Sequence, residues 1–255
     1  MSSIARIVVS AALLGQAVAH TWIDQLSVVG SNGSFAGDYG YVRGYVARTD
    51  TGFNGDSNLW LLPALDAGRV RINSSDFICK DTQRTQNQTS SWPRLSAAPG
   101  DYVAMKYSEN GHVTLPGNQP GKPEKGGTVF MFGTTEPKDD EKMMDVLQWT
   151  KDGSGGDKRG KLLAANNYDD GRCHQINGGD ISTKRQQEFP DEIPGQPGSH
   201  SELYCESNFQ VPTDQATGKA LTIYWVWEWP TAVGTEGLPL GKDEWYTACA
   251  DVDVV

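Results

Sequence analysis

Leu221-Thr222-Ile223-Tyr224-Trp225-Val226-Trp227-Glu228-Trp229 is the stretch from which the fold is read. It is rich in β-branched and aromatic residues, so it predicts a strand. With a period of two, Trp225, Trp227 and Trp229 share one pleat face, and Tyr224, Val226 and Glu228 share the other. The tryptophan stripe is read as core packing. Working outward, Asp101–Tyr107 (Asp-Tyr-Val-Ala-Met-Lys-Tyr) and Gly127–Gly133 (Gly-Thr-Val-Phe-Met-Phe-Gly) are strands of the same kind between turn signals. Trp245–Val255 ends in the alternation of a half-buried strand. Only Asp139–Trp149, with Met143, Val146 and Leu147 at i, i+3, i+4, looks helical.

Pro116–Gly127, Asp152–Gly160 and Phe189–Gly198 are rich in breakers and read as loops. No repeat or linker marks off a second domain. With 29 Gly and 13 Pro in 255 residues, a helical bundle is disfavoured. Many short strands and elaborate loops predict an all-β fold: a single immunoglobulin/fibronectin-like antiparallel β-sandwich with long loops.

Charge removes one partner class. A formal net charge of −10 gives no electrostatic footprint for nucleic acid. Eight Trp and nine Tyr in an acidic chain point instead to a neutral, ring-shaped ligand or an aromatic core.

The N-terminus predicts the compartment. Residues 1–19 carry Arg6, a short apolar run from Ile7 to Leu14, and small residues at Ala17 and Ala19, the pattern of a secretory signal peptide. The apolar run is too short to span a bilayer. The expected layout is therefore a signal peptide over 1–19 and one secreted, extracellular domain over 20–255, monomeric and without a membrane partner. Sequons at Asn32, Asn73 and Asn87 are candidate glycan acceptors in a eukaryotic host. Cys79, Cys173, Cys205 and Cys249 allow two disulfides in any of three pairings.

Cleavage after Ala19 makes His20 the first residue, and that changes its chemistry. A free α-amino group and the ring Nδ1 of one histidine can grip a single metal ion together. The amine has a pKa of about 7.7–8.0, so a metal displaces its proton at modest cost. One more imidazole completes a three-nitrogen, T-shaped set, which suits Cu(II). His112, in the loop Ser108–Thr114 behind the strand ending at Tyr107, is the candidate for that ring. His174 and His200 sit in polar loop contexts and are read as structural or solvated.

Here the chain resembles the secreted lytic polysaccharide monooxygenases, copper enzymes with an N-terminal histidine brace on a β-sandwich, and within them a branch of secreted fungal proteins beginning His-Thr-Trp. His20 matches that family's first ligand. Pro99–Tyr107 followed by Gly111-His112-Val113 is similar to the strand and loop that carry the second. Glu244-Trp245-Tyr246-Thr247-Ala248-Cys249 resembles the C-terminal Gln/Glu-x-Tyr-x-x-Cys strand. The resemblance implies one copper ion held by His20 and His112, with Tyr246 as the axial group. Glu244 would hydrogen-bond the oxygen species or pass it a proton.

Asp76–Cys79 resembles the segment whose cysteine pairs with the C-terminal one, which implies Cys79–Cys249 and leaves Cys173–Cys205. The implied activity is oxidative cleavage of glycosidic bonds in a polysaccharide such as cellulose or chitin, fed by an external electron donor. The loop Asp38–Tyr45 offers Tyr39 and Tyr41 as rings for sugar stacking, and Trp22, two residues from His20, is a third candidate substrate-binding ring. Two other classes stay open: a non-catalytic extracellular copper-binding brace protein, and a metal-free secreted carbohydrate-binding protein. Hydrolases of the His-Glu-x-x-His and Gly-x-Ser-x-Gly types find no motif here.

Overall fold

Two antiparallel sheets face each other across an aromatic core. The computed structural model describes residues 21–189 and 202–255. The predicted signal peptide, His20 and His200 lie outside the described residues, as does all of the predicted 189–198 loop but Phe189. In chain order the strands are β1 (Ile23–Val29), β2 (Phe35–Gly40), β3 (Leu61–Leu62), β4 (Leu95–Ala97), β5 (Tyr102–Tyr107), β6 (Thr128–Thr134), β7 (Gly160–Asn167), β8 (His174–Gln175), β9 (Glu202–Leu203), β10 (Cys205–Gln210), β11 (Ala220–Glu228) and β12 (Trp245–Val254). Among the described residues two α-helices join them, α1 (Met143–Val146) and α2 (Asp180–Glu188).

The first sheet has the order β10-β5-β1-β2, and the second β3-β12-β11-β6-β7, with β4 added in parallel along β12. β8 and β9 form a separate small ladder. The fold is thus an all-β sandwich, with β5, β6, β11 and β12 each within one residue of its sequence reading.

The core between the sheets takes alternate residues from both. Val103, Met105 and Tyr107 of β5 meet Ile223, Trp225 and Trp227 of β11. A second apolar cluster lies on the other face of the second sheet, where Tyr224 and Val226 of β11 pack with Phe132, Met143, Val146 and Trp149. This second layer corrects the reading of the C-terminal strand. β12 is buried on both faces for most of its length, not half-buried, because loops carrying Arg43, Ile78, Cys79 and Gln83 cover its outer side. The predicted helix over 139–149 shrinks to the single turn of α1, whose Met143 and Val146 plug that outer cluster.

α2 has no apolar stripe. An Arg185–Asp169 pair holds it instead, at 2.7 and 2.9 Å, and its first turn is tied down by Ser182 Oγ donating to Gln175 O at 2.6 Å.

Cys79 is joined to Cys249, and Cys173 to Cys205, the two pairs that the resemblance implied. The first bridge closes 170 residues of sequence and pins the 73–80 loop to β12. Among the described residues no helix is long and apolar enough to cross a membrane.

The outward side of the first sheet holds a charge that water does not reach. Val103, Met105 and Tyr107 face the core, so Lys106 points away, yet it is fully buried. Its ammonium donates to Gln25 Oε1 at 2.9 Å and lies 3.4 Å from the Phe35 ring centre and 5.3 Å from that of Tyr39. Burial lowers its pKa to about 7, against the pull of Glu206.

Between that value and the ordinary lysine value of 10.5, the unfolded chain holds a proton that the folded chain does not. Stability therefore rises with pH across this window and is flat with respect to Lys106 below it. Urea midpoints should climb from pH 7 to pH 9 more in the native protein than in Lys106→Met. Parallel curves would show that the amine is not depressed.

Candidate functional site

The end of the sandwich that carries His112 is built around one indole. Trp227 comes from the far end of β11, and its Nε1 donates to Gly126 O at 2.6 Å. Around its ring stand Tyr168 at 4.0 Å and Tyr246 at 4.8 Å, both stacked. Trp229 lies at 5.2 Å and the His112 imidazole at 5.3 Å, with His112 also edge-on to Trp229 at 4.5 Å. Gly126 and Gly127 both sit at positive φ. A Cβ on Gly126 would fall 2.6 Å from the Tyr168 ring, so only glycine lets this turn close on the cluster.

His112 is presented by a turn that a buried carboxylate organises. Glu109, 1% exposed, accepts from the backbone N–H of Val113 at 2.8 Å, Thr114 at 3.3 Å and Gln175 at 2.9 Å, and from the Thr114 hydroxyl. His112 N donates back to Glu109 O at 2.9 Å. The His112 ring is nearly buried, and its Nδ1 lies 3.2 Å from Gln119 Nε2.

Tyr246 is 1% exposed, and its hydroxyl donates to Glu244 Oε1 at 2.8 Å. Burial and the adjacent Glu244 charge push its phenol well above the usual value. The other Glu244 oxygen receives Lys122 Nζ at 2.6 Å. Lys122 also donates to Trp229 O at 3.0 Å and lies over the Trp229 ring at 3.7 Å. Burial lowers the Lys122 pKa, and Glu244 opposes that shift.

Of the residues singled out by sequence, His112, Glu244 and Tyr246 therefore belong to one packed cluster. Thr21, the residue after His20, joins it: its hydroxyl is 3.0 Å from Tyr168 Oη and donates to Ser108 O at 3.2 Å. Trp22 packs against Arg48 and Phe53 rather than against the rings of this cluster. It is 6% exposed, covered by the Arg48 guanidinium at 4.6 Å and the edge of Phe53 at 5.8 Å, with Nε1 donating to Asp24 Oδ1 at 2.9 Å. Burial raises the Asp24 pKa against the Arg48 charge.

Tyr41 forms a half-buried triad with Tyr45 and Trp92, at ring separations of 4.8 to 5.2 Å. Tyr39 belongs elsewhere, at the Lys106 box. The three proposed stacking rings thus do not form one platform. His174 is buried, with Nδ1 donating to Arg172 O at 3.1 Å. Three residues that sequence reading passed over, Glu109, Gln119 and Lys122, turn out to hold the cluster. They are polar loop residues whose only sequence signal is their nearness to His112 and to the glycine-rich turn.

A second group with metal-ligand character does not fit a metal. Asp169, Asp170 and Cys173 lie close together, but the Cys173 sulfur is spent in its disulfide. Asp170 accepts from the backbone N–H of Arg172, Cys173 and Glu206, at 2.8, 2.8 and 3.0 Å. Asp169 is taken by Arg185. The imidazole-and-phenol pair of His112 and Tyr246 does fit copper by donor type.

A family match covers residues 17–255. The chain belongs to the family described as a domain of unknown function, DUF7492. No curated protein matches it. Among solved structures, the family member described here is similar to a polysaccharide monooxygenase CBM33 studied by X-ray photoreduction, with 12% identity and a TM-score of 0.29 over 66% of this chain and 63% of that one. It thus spans less than two thirds of that structure. It is also similar to a cellulose-active polysaccharide monooxygenase from M. thermophila, with 14% identity and a TM-score of 0.36 over 92% and 78% of the two chains. At these scores neither likeness bears on the site.

Proposed function

We propose that the protein is a secreted copper-dependent polysaccharide monooxygenase in which His20, His112 and Tyr246 hold one copper ion. The observation that supports it is the gathering of His112, Tyr246 and Glu244 with Thr21, the neighbour of His20, around Trp227. When bound, copper would supply one-electron oxygen chemistry at a glycosidic C–H bond. The chain's own part is to orient His112 through Glu109, whose carboxylate and carbonyl fix the turn that presents it. Tyr246 fills one side of the site, and Glu244 stays beside it as a hydrogen-bond acceptor.

The test is copper titration followed by EPR on protein beginning at His20, beside a version with one alanine added ahead of it. Type-2 Cu(II) with nitrogen hyperfine structure is expected in the first and lost in the second. The same axial signal in both removes the brace. Oxidised oligosaccharides from cellulose, chitin or xylan with a reductant are the expected products.

One observation favours a second reading, copper holding without catalysis. The Tyr246 hydroxyl and the Glu244 carboxylate are each already engaged, and His112 is 6% exposed, whereas cleaving a polysaccharide needs an accessible face. Tight copper binding without oxidised products selects that reading.

A further inference from the structure

One loop reaches two of the candidate site residues. Residues 115–122 wind through successive tight turns, with Asn118 N donating to Leu115 O at 3.1 Å, Gln119 N to Pro116 O at 3.1 Å and Lys122 N to Gln119 O at 3.3 Å. Their far end is clamped by Ala232 N donating to Gly121 O at 2.8 Å. From this frame Gln119 touches His112, and Lys122, three residues on, holds Glu244.

The Gln119 contact has a consequence for the imidazole. Its Nε2 lies 2.9 Å from Gly111 O. A carbonyl oxygen only accepts, so the end of the amide facing it must be the NH2 group. The same nitrogen lies 3.2 Å from His112 Nδ1, so Nδ1 accepts the second N–H. A neutral imidazole that accepts at Nδ1 carries its proton on Nε2, and a protonated ring nitrogen has no lone pair for a metal. Turning the Gln119 amide over would place Oε1 against Nδ1, move the ring proton there and bare Nε2, at the loss of the Gly111 bond. A metal-ligating histidine ordinarily donates its other N–H to such an acceptor.

We propose that Gln119 is a positioning residue that selects the tautomer of His112, and so sets how readily that ring takes a metal. The proposal rests on His112 being a ligand. Gln119 is half-buried in a loop, so variants there should fold.

The experiment uses protein beginning at His20 with 15N-labelled histidine, at pH 8 and metal-free, read by two-bond 1H–15N correlation. His112 should be the Nε2–H tautomer in the native chain and the Nδ1–H tautomer in Gln119→Glu, whose carboxylate can only accept. In a competition titration with Cu(II), Gln119→Glu should bind on the order of tenfold more tightly than the native chain. Gln119→Leu, which neither donates nor accepts, should give a mixed tautomer and no such gain. A purely structural role predicts weaker binding in both variants. An Nδ1–H native tautomer overturns the proposal, as does a tautomer and affinity that ignore position 119. If the tautomer follows position 119 but no variant binds copper, the metal reading fails and the tautomer selection stands.

Discussion

Asp251→Ala should lower stability by about 3–5 kcal/mol, the cost of leaving a buried charge without its partner, or a Tm roughly 10 °C lower for a chain of this size. Asp251 and Arg43 both have fully buried side chains. Arg43 donates Nε to Asp251 Oδ2 at 2.9 Å and Nη2 to Oδ1 at 2.7 Å, the forked geometry that makes such pairs strong. The remaining guanidinium protons go to Thr222 Oγ1 at 2.9 Å and to the carbonyls of Gln83 and Arg84 at 3.1 and 3.2 Å.

Thr222 and Gln86 complete the carboxylate, at 2.7 and 3.2 Å. The network therefore staples two long loops to the outer face of β11 and β12. Burial works against the Asp251 charge, but the Arg43 hydrogen bonds and charge outweigh it and hold the carboxyl below its ordinary value. Its contribution is complete above the unfolded value of 3.8 and is lost as pH falls. Replacing both partners with apolar residues, as in Arg43→Met with Asp251→Leu, should recover most of the loss, because no charge is then stranded. Urea denaturation of the three variants decides it: a loss under about 1 kcal/mol in Asp251→Ala means the pair is not doing this work.

The strands that the sequence made plain are those in which local propensity and burial agree. β11 and β6 are strings of β-branched and aromatic residues closed by turn signals, and both lie near their predicted bounds. The misread elements are those whose cause is not local. Met143, Val146 and Leu147 have helical spacing, but what they serve is one plug in the outer cluster, so a single turn suffices. α2 could not be seen by periodicity, since an Arg185–Asp169 pair and the Ser182 hydroxyl secure it rather than an apolar face. β12 alternates in sequence yet is buried on both sides, because its outward polar residues, Asp251 among them, meet partners from distant loops.

The site was legible to a similar degree and for similar reasons. His112, Glu244 and Tyr246 stand out through their likeness to a family's ligand loop and C-terminal strand. Gln119 and Lys122 carry no such likeness, because what matters about them is where a glycine-rich loop folds back, a property of three dimensions. Four cysteines alone left three pairings open, and only likeness to a family's C-terminal strand chose among them. Trp227 is core, as its place in the strand predicts, and His112, Tyr168 and Tyr246 also pack against the same ring.

That double duty makes Trp227→Ala the second large effect. Removing a fully buried indole typically costs about 3–5 kcal/mol, from lost transfer energy and the cavity left behind. Here it also strands Gly126 O and withdraws the surface against which Tyr168, Tyr246 and His112 pack. Stability alone cannot separate floor from filler, so the informative variant is Trp227→Phe. It keeps an aromatic face against Tyr168 and Tyr246 and deletes the N–H donated to Gly126, at a cost of about 1–3 kcal/mol for the unsatisfied carbonyl.

If Trp227 serves only as filler, Trp227→Phe should fold slightly less stably and leave the rings of His112 and Tyr246 where they are. If it is the floor of the site, the turn at Gly126–Gly127 loosens and His112 loses its fixed plane. The aromatic-region NMR signals of His112 and Tyr246 should then shift and broaden, and copper affinity should fall by on the order of tenfold, as when a supporting group behind a ligand is removed. Unchanged ring signals together with unchanged copper affinity in Trp227→Phe would leave His112 and Tyr246 as independent neighbours that share an indole without depending on it.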